Sequence, residues 1–443
     1  MGITVPPLGL AYLAAMLEKE GHEVDIIDAQ ALKLSISQIK KEIEERQPDL
    51  LGVTSVTPTI YEALELIKIT KSVSPYTFTV LGGPHVSFLP IKTLEECPQL
   101  DAVCIGEGEE TVVDLAKTVE CGGNLSNVRG IAYRSEGGIV KNPPRPLISD
   151  LDSLPFPARH LLPMNKYTIL GKKSVIGHLM TSRGCPFNCT FCSSSLLFGK
   201  KFRGRSPENV VDEMEHVISE YKARSIEFAD DEFTLNRKRV EGICYEIRKR
   251  GLDIFWACSS RVDTISKDLL KKMKRAGCFL IYYGIESGSQ RILNFIRKGI
   301  TIDKVIRAIK WTKEVGIKTL GSFIIGFPGE TEEDIKKTIS LAKKLRLDYA
   351  QFAIATPYPG TELYDLAKRE GMLETEDWSQ YTAANPVLKN YGCSRETLIK
   401  LFKEAYTTFY LSPRMLLKNL SYSNLQIFLK AVRSAIHSLI HKL

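Results

Sequence analysis

Residues 183–192 read Arg183-Gly184-Cys185-Pro186-Phe187-Asn188-Cys189-Thr190-Phe191-Cys192, which places three thiols within eight residues. The run from His178 to Arg183 just before them reads as a strand. Spacings of three and two intervening residues let one short loop wrap three soft ligands around a metal centre. With no fourth cysteine or histidine nearby, a closed four-ligand zinc site fits poorly. An iron–sulfur cluster that leaves one iron open fits well. A zinc knuckle or a chance match is the bland alternative.

Downstream, strands are expected near 178–183, 225–229, 254–258, 279–285, 318–325 and 348–354, with helices between them. Six βα units in about 190 residues are too few for a closed eight-unit barrel, so residues 171–365 are expected to form a partial (β/α)6 barrel. Ala229-Asp230-Asp231-Glu232-Phe233 ends the second strand and Ser259-Ser260-Arg261 the third. Tyr283-Gly284-Ile285-Glu286-Ser287-Gly288 ends the fourth, and Ile325-Gly326-Phe327-Pro328-Gly329-Glu330 the fifth. Barrel active sites gather at such ends. Each residue there has a plainer role: Asp231 as a helix cap, Gly329-Glu330-Thr331 as a helix start, Arg261 as a partner of Asp263.

Upstream, residues 1–124 alternate helix and strand patterns in the rhythm of a doubly wound parallel sheet. Leu10, Leu13, Ala14 and Leu17 make one helical stripe that Gly21 stops, and Glu23 to Ile27 reads as a strand. A polar helix over Ile36 to Arg46 precedes strands at Leu50 to Val53, Thr77 to Leu81 and Ala102 to Ile105, with helices near Ile60 to Ser72 and over Glu109 to Val119. The strand ends run into Thr54-Ser55-Val56-Thr57, Gly82-Gly83-Pro84-His85 and Gly106-Glu107-Gly108-Glu109. Carboxyl ends of an open α/β sheet form its ligand crevice, and small residues there leave room for a large flat ligand; tight turns alone would use the same glycines. A doubly wound domain opens on a central strand, yet only eight residues precede Gly9. The expectation is either a chain shortened at its start or a sheet with an unfilled central slot.

Residues 125–170 read as a connector, with a hairpin around Ser135-Glu136-Gly137 and then Pro143, Pro144, Pro146, Pro155, Pro157 and Pro163 enforcing an extended path. Residues 366–443 turn helical and aromatic. They end in an amphipathic helix capped by Ser423, with Leu425, Phe428, Leu429, Val432 and Ile436 opposite Lys430, Arg433 and Lys442. No repeat or low-complexity tract interrupts this order.

The pattern Cys-x3-Cys-x-aromatic-x-Cys, with Phe191 as the aromatic, resembles the signature of the radical S-adenosylmethionine superfamily. The resemblance implies a four-iron, four-sulfur cluster on Cys185, Cys189 and Cys192, whose fourth iron chelates the amino and carboxylate groups of S-adenosylmethionine. It implies that Phe191 contacts S-adenosylmethionine, that Glu286 binds its ribose hydroxyls and that the Gly326 segment lies against adenine. Arg261 with Asp230 or Asp231 would face the methionine or the substrate. Tyr349, Gln351, Thr356, Tyr358 and Pro359, on or after the sixth strand, are substrate-contact candidates.

Joined to the N-terminal motifs, the whole chain is similar to the cobalamin-binding radical S-adenosylmethionine enzymes. In that family the corrin is contacted by segments matching Thr54, Ser55 and Thr57, then Gly82, Gly83 and His85, then Gly106, Glu107 and Gly108. Cobalamin domains with an axial histidine supply it through Asp-x-His-x-x-Gly. Setting that glycine on Gly9 puts Thr4 and Pro6 at the other two places, so no axial histidine is expected and His85 reads as a loop residue near the corrin. The missing first strand is expected to weaken the sheet on which the corrin rests.

The 443 residues suit two to four domains, and 44% hydrophobic with 25% charged residues is ordinary globular composition. The net charge of +8 is concentrated at one end: Arg414, Lys418, Lys430, Arg433 and Lys442 all follow the last acidic residue, Glu404. The remaining excess is too small to suggest a nucleic-acid surface. The basic tail helix suits an anionic membrane interface, or else closes the domain or joins a partner subunit. No apolar run approaches the ~20 residues of a membrane span, and the start lacks the basic leader and cleavage site of a signal peptide. Seven of the ten cysteines are scattered singly, which points to reduced thiols in the cytoplasm, with membrane association at most through the tail.

The leading expectation is an α/β enzyme that cleaves S-adenosylmethionine to a 5′-deoxyadenosyl radical and, with cobalamin, methylates an unactivated carbon. Its substrate would be small and hydrophobic or lipid-like, and its reductant a ferredoxin or flavodoxin. Radical cyclisation or oxidation of the tetrapyrrole ring-forming kind is the alternative. A methylthio-transferring relative would need a second cysteine set and a terminal basic β-domain, and neither is visible. From another class, a non-catalytic metal-binding interaction protein stays open.

Overall fold

Short apolar strands separated by capped helices build two sheets in series. The computed structural model describes residues 4–169, 172–173 and 176–418. Helix α1 (Leu8–Lys19) is followed by α2 (Ile36–Arg46), whose start is set by a capping box between Ser35 and Gln38. Strands β1 (Leu50–Thr54), β2 (Phe78–Gly82) and β3 (Ala102–Cys104) pair in parallel. The hairpin β4 (Ile131–Ser135) and β5 (Gly138–Lys141) extends the sheet antiparallel, in the order β1-β2-β3-β4-β5. The hairpin of the connector is therefore the far edge of the N-terminal sheet.

Two local expectations fail. Residues 23–27 form no ladder, and β1 is the edge of its sheet. Among the described residues no strand stands beside β1 where a partner for 23–27 is needed, and a segment without a neighbour for its N–H and C=O groups is not a strand. In α1 the buried side is Leu8, Ala11, Tyr12, Ala14 and Ala15, whereas Leu10, Leu13 and Leu17 are half-buried. Leu13 lies instead against Gly108, where a Cβ would come within 3.1 Å of its Cδ2.

The second sheet is β6 (Ile176–Leu179), β7 (Ser225–Phe228), β8 (Phe255–Ser260), β9 (Cys278–Glu286), β10 (Lys318–Ile325) and β11 (Tyr349–Ile354), all parallel and in sequential order. This is the open six-unit barrel. Its core runs from Val210 and Met214 through Trp256, Tyr283 and Phe323 to Leu398, Phe402 and Phe409 of the helix Arg395–Tyr410.

Among the described residues, side chains bond to the backbone at both barrel edges. Tyr410 and Tyr406 accept from the amides of Ala350 and Phe352, each at 3.2 Å, and donate to the carbonyls of the same residues at 2.7 and 2.9 Å. Two hydroxyls thus supply what a seventh strand would offer β11. On the opposite edge the Arg159 guanidinium donates to the His178 carbonyl at 2.7 Å and to Glu213 at 2.5 Å. The C-terminal region also serves the other domain, for Trp378 and Tyr381 pack in one cluster with Ile60, Ile67 and Val86. No helix among the described residues is long and apolar enough to cross a membrane. The amphipathic helix expected over 425–443, with Ser423 as cap, lies outside the described residues.

Candidate functional site

Beyond β6 the chain makes a two-residue antiparallel pair, Ser182–Arg183 with Arg203–Gly204, so the cysteine loop is tied together where it starts and ends. Inside it the Cys185 amide donates to the Gly199 carbonyl at 3.1 Å, the Thr190 amide to Ile296 at 3.1 Å and the Cys192 amide to Cys189 at 3.2 Å. Gly184 has φ +86°, and a Cβ there would lie 2.2 Å from the Lys201 carbonyl oxygen, so the closure requires glycine. The three thiols are free and partly accessible. Burial, then Cys192, Asp231 and Cys189, push the Cys185 thiol up to about 11. Burial also raises Cys189, against the opposing pull of Lys298 and Arg261. Three soft thiols gathered on one closed loop fit a cluster. Among the described residues no three His, Cys, Asp or Glu side chains converge as ligands of a single ion. A four-iron cluster takes each thiolate on a different iron and does not ask for that convergence.

Beside the loop lies a set of charges shielded from water. Glu286 ends β9 just after a register shift, with φ +66°, and its Oε1 accepts from Lys298 Nζ at 2.7 Å. Lys298 escaped the sequence reading, because a lone lysine in Phe295-Ile296-Arg297-Lys298-Gly299 gives no sign that it turns inward. Arg261 pairs with Asp263 at 2.9 and 3.0 Å, donates to the Lys298 carbonyl at 2.7 Å and places its guanidinium carbon 3.6 Å from the Phe187 ring centre. It therefore braces the cysteine loop as well as pairing with its neighbour. Asp230 accepts from the Thr181 amide and from the Thr181 and Ser182 hydroxyls, all at 2.6 Å, which joins β6 to β7. Asp231, unlike the others, is exposed, and accepts from Ser194 at 2.9 Å, two residues past the last cysteine.

Phe191 and the fifth strand end come together, with 5.8 Å between the ring centres of Phe191 and Phe327. The Gly326 and Phe327 amides donate to Glu330 at 2.5 and 3.1 Å, and a Cβ on Gly326 would stand 2.7 Å from Leu398. Burial pushes Glu330 up to about 8 despite those two amides.

At the carboxyl edge of the N-terminal sheet, the Ser55 hydroxyl is buried and has no hydrogen-bond partner. Gly83 has φ +105°, and its Cβ would fall 2.3 Å from the Ser55 carbonyl oxygen, while a Cβ on Gly106 would meet nothing within 4 Å. Thr54 is exposed and Gly82 half-buried beside them. An orphaned hydroxyl after one strand and an open glycine after another, on the same sheet edge, fit a large ligand laid over these strand ends. His85 does not reach out. Its Nδ1 is 3.2 Å from Thr57 Oγ1, its ring packs edge-on to Trp378 at 5.2 Å, and burial followed by Lys92 pushes it down to about 4. Glu107 commits both oxygens, accepting from the Ile148 amide at 2.8 Å, from Arg203 at 3.0 Å and from Arg183 at 3.0 Å. Burial would raise this carboxyl, but Arg203 and Arg183 hold it below the usual range.

The chain matches the family model of the radical SAM superfamily over residues 179–342 and that of the B12 binding domain over residues 1–116, which includes the unpaired segment 23–27. It is 48% identical to an uncharacterized methyltransferase of Pyrococcus horikoshii, over 98% of this chain and 94% of the relative. It is 34% identical to the anaerobic magnesium-protoporphyrin IX monomethyl ester cyclase of Rubrivivax gelatinosus, over 93% of this chain and 75% of that one. Among solved structures, the radical S-adenosylmethionine methyltransferase TsrM of Kitasatospora setae, with cobalamin and a 4Fe-4S cluster bound, shares the fold. Its TM-score is 0.71 at 21% identity, over 84% of this chain and 74% of that one. With both units matched in order and relatives aligned along nearly the full length, the chain belongs to the cobalamin-binding-domain radical S-adenosylmethionine enzymes, whose cofactors are a four-iron, four-sulfur cluster, S-adenosylmethionine and cobalamin.

Proposed function

We propose that this enzyme methylates an unactivated carbon, with cobalamin as methyl carrier over the N-terminal strand ends and the radical generated at the cysteine loop. The observation that carries this reading is the junction of two loops: Glu107 and Glu109, after β3, bond directly to Arg183, two residues before Cys185. Methyl carrier and radical source must reach one substrate carbon, and this junction sets the two strand-end crevices along one seam. The methyltransferase name of the 48% identical relative supports the same reaction.

Once bound, the cofactors supply reductive cleavage of the sulfonium, hydrogen abstraction and the methyl group. The chain binds and orients. Cys185, Cys189 and Cys192 hold the cluster, Glu286 takes the ribose hydroxyls with Lys298 balancing its charge, and Phe191 and Gly326 flank the adenine. Asp231 faces the methionine end, while Asp230 and Arg261 hold the surrounding loops in place. Ser55, Thr54, Thr57, Gly82, Gly83 and Gly106 form the corrin's bed, with His85 as a buried support beneath it and Gly108 closing the loop against Leu13. The substrate is a small, poorly soluble molecule, electrons come from a ferredoxin or flavodoxin, and the basic, apolar tail sequence gives peripheral membrane contact.

Ring formation is the second reading, favoured by the 34% identity to a tetrapyrrole cyclase. Anaerobic reconstitution, then S-adenosylmethionine with hydroxocobalamin and reductant, separates the two. Methylation predicts a brown protein with about four iron per chain, 5′-deoxyadenosine and methylated corrin. Ring formation predicts 5′-deoxyadenosine without methyl transfer to the corrin. Cys189→Ala abolishes 5′-deoxyadenosine under either. A colourless product, or stoichiometric zinc without sulfide, refutes both.

A further inference from the structure

We infer that Arg183 is a positioning residue that links the corrin-bearing sheet to the cluster: clamped between Glu107 and Glu109, it makes the seating of the cysteine loop depend on the loop at Gly106–Gly108. The inference rests on the reading of that loop as part of the corrin's bed.

The geometry is a closed set of charges across the domain seam. Arg183 gives one terminal nitrogen to Glu107 at 3.0 Å and the other to Glu109 at 2.5 Å. Arg203 contacts both oxygens of Glu107, at 2.9 and 3.0 Å, where the Ile148 amide also donates at 2.8 Å, and it donates in turn to the carbonyls of Ile148 at 2.5 Å and Phe198 at 2.8 Å. Arg183 and Arg203 pair across the two-stranded neck of the cysteine loop. Glu107 therefore holds the entry and the exit of that loop at once, from another domain. The four side chains are at most 6% exposed, so water cannot replace a broken contact.

The position of this clamp gives it more than a structural role. Glu107 sits between Gly106, which has open space above it, and Gly108, which Leu13 of α1 covers. A ligand pressing on the Gly106 face moves the peptide that carries Glu107. Arg183 is joined to Cys185 through Gly184, where even a Cβ would fall 2.2 Å from the Lys201 carbonyl oxygen, and the Cys185 amide is held by the Gly199 carbonyl at 3.1 Å. A displacement of the carboxylate has no slack before the first cluster ligand. Two sites that share such an element are coupled in both directions.

The test uses the full-length, anaerobically reconstituted protein, with hydroxocobalamin as probe and electron paramagnetic resonance of the reduced cluster as readout. In the wild type, corrin binding shifts the cluster's g-values. Glu107→Gln keeps its iron, melts at a lower temperature because two buried arginines lose a counter-charge, loses that shift, and binds hydroxocobalamin about tenfold more weakly, as expected for coupled sites. Arg183→Lys retains the charge without the two-pronged fork and falls between the two. It carries the same readouts if Glu107→Gln does not fold. Wild-type corrin affinity and an unchanged g-value shift in the variants overturn the inference. If the wild type takes up no corrin, the functional reading fails and the clamp is judged by the cluster alone. Altered g-values in Glu107→Gln then support it, because the substitution lies in the other domain, and an unaltered spectrum overturns it.

Discussion

Lys298→Met strips the cation from Glu286, and the structure sets the size of the effect. The two side chains are 2.7 Å apart and 9% and 8% exposed. Two unit charges about 3 Å apart at an effective dielectric of about 20 attract by about 5 kcal/mol, most of which repays their removal from water. Removing one partner leaves a carboxylate facing an uncharged thioether chain and the barrel interior, and such loss costs about 3–5 kcal/mol. Arg261 is unaffected, because it bonds the backbone carbonyl of residue 298. In urea unfolding of the apo chain, Lys298→Met is expected to lose about 3–5 kcal/mol. Hydrogen exchange should place the loss along Cys278–Glu286. Glu286→Gln combined with Lys298→Met should recover most of it. Glu286→Gly adds a check on the φ of +66° at this position, since glycine relieves a backbone cost of about 1 kcal/mol while removing the charge. If Lys298→Met costs less than about 1 kcal/mol, or the double variant is as unstable as the sum of the singles, the pair is not the buried unit described.

Tyr406→Phe and Tyr410→Phe each uncover one amide and one carbonyl of β11, at a cost of about 1–3 kcal/mol, and should speed amide exchange at Phe352 and Ala350 respectively. Unchanged exchange would show that the edge is protected by something else. Glu330, pushed up to about 8 from an ordinary 4.5, keeps its proton in the folded chain after the unfolded chain has lost it. Its contribution to stability is therefore full at low pH, declines as pH rises from about 4.5 to about 8 and is flat above. Glu330→Gln keeps an acceptor for the Gly326 and Phe327 amides and should flatten that slope; parallel profiles for variant and wild type would contradict the assignment. Gly184→Ala forces a Cβ to 2.2 Å from the Lys201 oxygen and should sharply lower bound iron after reconstitution. Full iron loading would show that the loop tolerates another closure.

Residue type and short spacing carried the readings that the structure upholds. The helix Ile36–Arg46 has the limits expected of it, because its capping box and periodicity lie within its own residues. The barrel strands fall within a few residues of their expected places for the same reason, since each alternates and stops locally. The reading of Glu23 to Ile27 failed because a strand is a relation to a neighbour, and a composition suited to pairing does not provide one. Asp230 and Asp231 look equivalent in sequence. Yet Thr181 and Ser182, nearly fifty positions earlier, occupy one of them, while Ser194 makes a single bond to the other.

By itself the sequence determined the cofactor chemistry and the order of the two α/β units, because three thiols at fixed spacing and glycines at strand ends are local properties of the chain. Only the tertiary structure decided which charges face each other. Glu107 meets Arg183 across 76 positions and Arg203 across 96, and Tyr410 reaches β11 across 60. The physical reason is common to all three. An arginine, a glutamate or a tyrosine has the same solvated alternatives in any surface loop, and it takes a specific partner only where packing has removed the water that would otherwise satisfy it.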